Sequence, residues 1–73
     1  MRPGGFEVKA YRIYIVGTDG RLQLGQAFDA VDDRAAVARA EGAASKGQTA
    51  ELWEGGRMVG RVGLDGVFRS GAN

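Results

Sequence analysis

The stretch Asp32-Asp33-Arg34-Ala35-Ala36-Val37-Ala38-Arg39-Ala40-Glu41-Gly42-Ala43-Ala44-Ser45-Lys46 decides the fold, because this alanine-rich run is the segment that reads as helix. Ala36, Val37, Ala40, Ala43, Ala44 and Gly47 fall on one stripe at helical spacing, while Arg34, Arg39, Glu41 and Lys46 lie largely outside it. Alanine has the highest intrinsic helix propensity. Asp32 is placed to cap the free N–H groups of the first turn, and Asp33 complements the positive end of the helix dipole. Gly47 is placed as the helix stop. A stripe this small lets the helix lie close to whatever it covers. Core volume must then come from Ile13, Ile15, Leu22, Leu24, Phe28 and Leu52, each contributing about 1.5–3 kcal/mol if fully buried.

Working outward, hairpin signals flank the helix. Thr18-Asp19-Gly20-Arg21, Glu54-Gly55-Gly56-Arg57 and Leu64-Asp65-Gly66-Val67 each lie between apolar runs. The first strand spans about Val8 to Val16, with Tyr11, Ile13 and Ile15 on one face and Ala10, Arg12, Tyr14 and Val16 on the other. The second spans about Arg21 to Phe28, with Leu22, Leu24 and Phe28 on the core face and Gly25 marking a bulge or a close backbone contact. The third spans Thr49 to Glu54, with Ala50 and Leu52 inward and Glu51 and Trp53 outward. The fourth spans Arg57 to Leu64. Its inward set is either Met58, Gly60 and Val62 or Val59 and Arg61, with a bulge at Gly60 or Gly63 able to shift the register. Val67-Phe68-Arg69 either adds a short fifth strand or packs down. The predicted fold is α+β: a four-stranded antiparallel sheet, β-β-α-β-β in the order 2-1-3-4, with one helix on one face. Residues 1–7 read as a flexible leader, 8–64 as the domain, and 65–73 as a turn and tail.

Composition narrows the chemistry. The 73 residues include neither cysteine nor histidine, which removes disulfides, thiolate ligands and the usual neutral-pH base. Ten Lys+Arg against nine Asp+Glu give a net charge of +1, with no global pull toward nucleic acid or an anionic membrane. No run approaches the ~20 apolar residues of a membrane helix, and cytoplasmic is taken as the default location. The thirteen glycines form neither a phosphate-loop nor a dinucleotide motif and read as turns and bulges. Asp29, Asp32 and Asp33 lack the glycine and terminal glutamate of a calcium loop. Glu51 and Glu54 should lie on opposite faces of their strand, and no serine or threonine has a histidine to activate it. The reading is therefore a non-enzyme with no cofactor and no metal.

One constellation stands out. Arg12, Tyr14 and Val16 should lie beside Glu51 and Trp53 on the sheet face the helix leaves open, joined by Arg61 or Arg57. Trp, Tyr and Arg are the types enriched at binding hot spots. The plain alternative is that Trp53 merely shields Tyr14 on a half-wet face. The preferred reading is a protein contact, as a homodimer or with a small protein partner, through this face or an open edge strand. A single-stranded nucleic-acid platform built on Tyr14 and Trp53 is the alternative, disfavoured by balanced charge and by Glu51 in the patch.

The segment from Tyr11 to Val62 resembles a group of very short, uncharacterised alphaproteobacterial proteins. The resemblance is carried by Tyr11-Arg12-Ile13-Tyr14, Asp19-Gly20-Arg21, Asp32-Asp33, Glu51-Leu52-Trp53-Glu54-Gly55 and Arg57-Met58-Val59. It implies a small β-β-α-β-β domain and no assigned activity. A looser similarity to small antitoxin domains of the HicB type rests on an aspartate–glycine hairpin before an alanine-rich helix, and makes an antitoxin-like regulator a further alternative.

Overall fold

The computed structural model describes residues 7–17, 19–44 and 47–71, with residues 22–24 described by backbone alone. The leader assigned to residues 1–7 falls almost wholly outside these bounds. The elements are β1 (Lys9–Val16), β2 (Leu22–Ala30), α1 (Asp33–Ala43), β3 (Thr49–Glu54), β4 (Arg57–Val62) and β5 (Phe68–Ser70). The strands form one sheet in the order β2-β1-β3-β4-β5, every neighbour antiparallel. The predicted order 2-1-3-4 is thus extended by a fifth strand at the β4 edge, and the span read as a turn and tail supplies it.

The helix starts as its sequence dictates. Asp32 takes extended backbone and its side chain accepts from the Ala35 N–H at 2.9 Å. It ends earlier than predicted, at Ala43 rather than Lys46, because Ala44 already adopts extended backbone. Gly47, with φ of 85°, serves the turn into β3 instead of stopping the helix. Ala36 and Ala40 are completely buried against Ala50, Ile13 and Leu52, so the alanine stripe does bring helix and sheet close together. Tyr11, Val59 and Val62 complete the buried set, and Ile15, Phe28 and Phe68 pack at its margin. Phe28 stacks on Tyr11 with ring centroids 5.8 Å apart, and the Arg39 guanidinium lies 4.7 Å above the Phe28 ring, tying α1 to β2.

Two bulges set the register. Ile13 pairs with Gln26 but Tyr14 pairs with Leu24, so Gly25 is the extra residue in β2. A side chain there would collide with the Ile13 backbone oxygen, which is why the position requires glycine. The shift corrects one sequence expectation. Phe28 stays in the core-face row, opposite Tyr11, whereas the backbone of Leu24 and Leu22 pairs with Tyr14 and Val16 rather than with the Ile13–Ile15 row, and the core role expected of their side chains lies outside the described residues. The second bulge resolves the ambiguity of the fourth strand. Leu52 pairs with Gly60 and Trp53 with Met58, so Val59 is the extra residue. Val59, Gly60 and Val62 are consequently all buried, while Arg61 points away from the helix opposite Glu51.

The loops Gly17–Arg21 and Gly63–Val67 are built alike. In each, the first glycine N–H donates to the carbonyl of the fifth residue, and the second glycine N–H donates to the first glycine carbonyl, all at 2.9–3.1 Å. The aspartate carboxylate accepts from the N–H two residues on, at 3.0 Å in both. Gly20 and Gly66 take φ of 82° and 78°, the left-handed position that closes a three-residue hairpin loop. Glycine, aspartate and glycine recur at the same places in both loops (Gly17, Asp19, Gly20 and Gly63, Asp65, Gly66), and the same bonds recur with them.

Two glycine substitutions should move stability in opposite directions. Gly42 sits in α1 with open space around it, so Gly42→Ala should stabilise by about 0.5–1 kcal/mol. A methyl at Gly60 would strike the Phe68 ring and the Arg69 carbonyl oxygen, so Gly60→Ala should destabilise by about 1–3 kcal/mol and loosen β5 first. Urea denaturation, with amide exchange at residues 68–70, checks both.

Candidate functional site

Alternation along β1 and β3 brings the predicted residues onto the sheet face opposite α1. Arg12 stands opposite Trp53, Tyr14 opposite Glu51, and Glu51 in turn opposite Arg61. Val16, opposite Thr49, continues the row toward the first hairpin loop. Tyr14 and Trp53 are half-buried and meet edge to face, with centroids 6.5 Å apart and planes at 86°. Glu51 organises the patch. One carboxylate oxygen accepts the Trp53 indole N–H at 3.1 Å, and the other lies 3.5 Å from the Arg61 guanidinium. The indole is therefore held from both its edge and its neighbour. Arg61 joins the patch as anticipated; Arg57 does not. The bulge in β4 also brings Met58 beside Trp53, a neighbour that simple alternation left undecided.

Arg57 instead completes a polar clasp on the other side of the sheet, at the N-terminus of α1. The buried Tyr11 hydroxyl donates to Asp33 Oδ1 at 2.7 Å, and Arg57 Nη2 donates to both Asp33 oxygens at 3.0 and 3.2 Å and to Glu54. Asp33 joins α1 to β1 and β4, and Arg57 extends the clasp to β3 through Glu54. Burial, reinforced by the Asp33 bond, pushes the Tyr11 phenol well above its ordinary range, so it remains a donor. Hydrogen bonds from Arg57 and then Tyr11 hold the Asp33 carboxyl below the usual carboxylate range. The position of Asp33 just inside the helix points to a dipole role only. Its reach to Tyr11 spans 22 positions and has no local signature.

These arrangements bear on the chemistry considered from sequence. Glu51 faces outward and Glu54 belongs to the clasp, so the two do not converge. Asp29 lies on β2, Asp32 caps α1 and Asp33 is engaged by Tyr11 and Arg57. Among the described residues no three acidic side chains cluster as a metal site, and no helix is long and apolar enough to cross a membrane. Comparison of the chain with protein-family models, with curated proteins and with solved structures finds no match in any of the three.

The clasp gives the fold an acid-sensitive component. Because the folded Asp33 pKa lies below its unfolded value of about 3.9, its contribution is complete above that value and is lost as pH falls through the folded pKa. Asp33→Asn should lower the melting temperature near neutrality, and the gap from wild type should narrow below about pH 4. Thermal circular dichroism across that interval measures it; a gap unchanged at pH ~2 would contradict the linkage.

Proposed function

We propose that this chain is a non-catalytic interaction module of the cytoplasm that associates with a second copy of itself through the helix-free sheet face. The observation that carries this reading is the Tyr14–Trp53 pair, a large aromatic surface held in fixed orientation on the face opposite α1, where none of the described helices or strands lies over the sheet. Rigid aromatics with arginines at their margin are the usual anchors of protein contacts. The edges of the sheet offer less. β5 is three residues long and β2 is kinked by the Gly25 bulge, two devices that discourage strand-to-strand pairing. The sheet face is therefore preferred over an edge.

The nucleic-acid alternative is weaker on this geometry. Base stacking needs an open ring face beside a cationic groove, yet the two rings pack edge to face and a carboxylate lies between Trp53 and Arg61.

Sedimentation velocity across micromolar concentrations should reveal a monomer–dimer equilibrium. Trp53→Ala and Tyr14→Ala should each weaken it by about 30-fold, the effect of a 2 kcal/mol hot-spot residue. A monomer at every concentration would end the proposal, and a salt-dependent quench of Trp53 by a single-stranded oligonucleotide would favour the alternative.

A further inference from the structure

The helix-free face carries two charges that its own residues do not satisfy. Glu51 is engaged with Arg61 and the Trp53 N–H, and Arg69, opposite Arg61, is paired with Asp65. Arg12 and Asp29 remain. Both are exposed, and among the described residues neither has an ion-pair or hydrogen-bond partner. They are not remote from each other. Arg12 stands opposite Ala27, and Asp29 stands opposite Ala10, so the two charges form one diagonal across β1 and β2 and two alanines form the other. The alanines leave an open groove of about 620 Å³ on this face, with Tyr14 as one wall.

We infer that this diagonal is the centre of a two-fold interface in which Arg12 of each copy pairs with Asp29 of the other across the groove. The inference rests on the self-association proposed above and adds the register. A symmetric dimer requires a patch that is its own complement, with one group meeting the other and the reverse. A cation and an anion lying on either side of a two-fold axis meet that condition, because the axis carries the cation of one copy over the anion of the other, and a single-sign patch does not. Packed sheets stand about 10 Å apart, a gap that an arginine and an aspartate reaching from opposite sides bridge. The short side chains of Ala10 and Ala27 leave room for the crossing guanidinium groups, and Tyr14 and Trp53 of each copy close the contact on the β3 side.

Reciprocity supplies the test. Arg12→Asp places two acidic groups at each crossing of its own homodimer, and Asp29→Arg places two basic groups there. Each variant alone should show a dissociation constant raised at least about tenfold by sedimentation velocity, with circular dichroism unchanged because both sites are exposed. Mixed in equal amounts they should form a heterodimer, since each crossing then joins an aspartate to an arginine, and the double variant should recover wild-type affinity. If both single variants dimerise like wild type, or if the mixture recovers nothing, the register is wrong although self-association stands. A wild-type chain that is monomeric throughout overturns both, and quenching of Trp53 by an oligonucleotide in that sample would assign the face to nucleic acid.

Discussion

The contact of alanine on alanine governs this domain. Ala36 and Ala40 of α1 and Ala50 of β3 are all fully buried in one core cluster, so small side chains line both helix and sheet where they meet. Close approach gives good packing, but it leaves little space for core volume, which Ile13, Leu52 and Val62 must supply from the strands. It also limits coverage. An eleven-residue helix is about 16 Å long and covers one side of a five-stranded sheet only in part. The margins are closed by other means: Arg39 over Phe28 at one side, Phe68 at the other.

The orientation of the helix on that surface is fixed by polar bonds at its N-terminus. Asp32 caps the helix, and the next residue reaches Tyr11 in β1 and Arg57 at the start of β4. The carboxylate of Asp33 is partly exposed, so its ion pair with Arg57 is screened and the geometry matters more than the charge. The buried phenol at its other side is satisfied, which removes the cost of an orphaned hydroxyl next to Ile13 and Leu52. The two faces of the sheet thus have parallel organisations. On the helix side a carboxylate gathers a phenol and an arginine, and on the open side Glu51 gathers an indole and an arginine.

Much of this was legible from residue patterns and some was not. Alternation in β1 and β3 identified Tyr11, Ile13 and Leu52 as core, and put Arg12, Tyr14, Glu51 and Trp53 together on the opposite face. Strand order followed from the hairpin signals and the single helix. The failures cluster at bulges, where one extra residue exchanges the two rows of a strand. Gly25 was recognisable as a special position, yet its effect on Leu22 and Leu24 depends on whether the extra residue lies before or after them in the ladder, which composition does not reveal. Val59 and Gly60 pose the same problem in β4. Long-range polar contacts are the other blind spot. The Tyr11–Asp33 bond depends on where α1 lands on the sheet, and that is a tertiary outcome. Phe68 could be seen as apolar, but its place over Gly60 required the fifth strand to be present.

Strand order has a kinetic corollary. Of the four ladders, β1–β2, β3–β4 and β4–β5 connect segments adjacent along the chain, each closed by a short glycine turn. Only β1–β3 joins distant residues, bringing Val16 to Thr49 across the entire helix. Nearby pairings zip early because their closure entropy is small, whereas the distant one must wait for a long excursion to be confined. The largest closure cost therefore falls on one seam, the ladder in which Ile13 stands opposite Leu52.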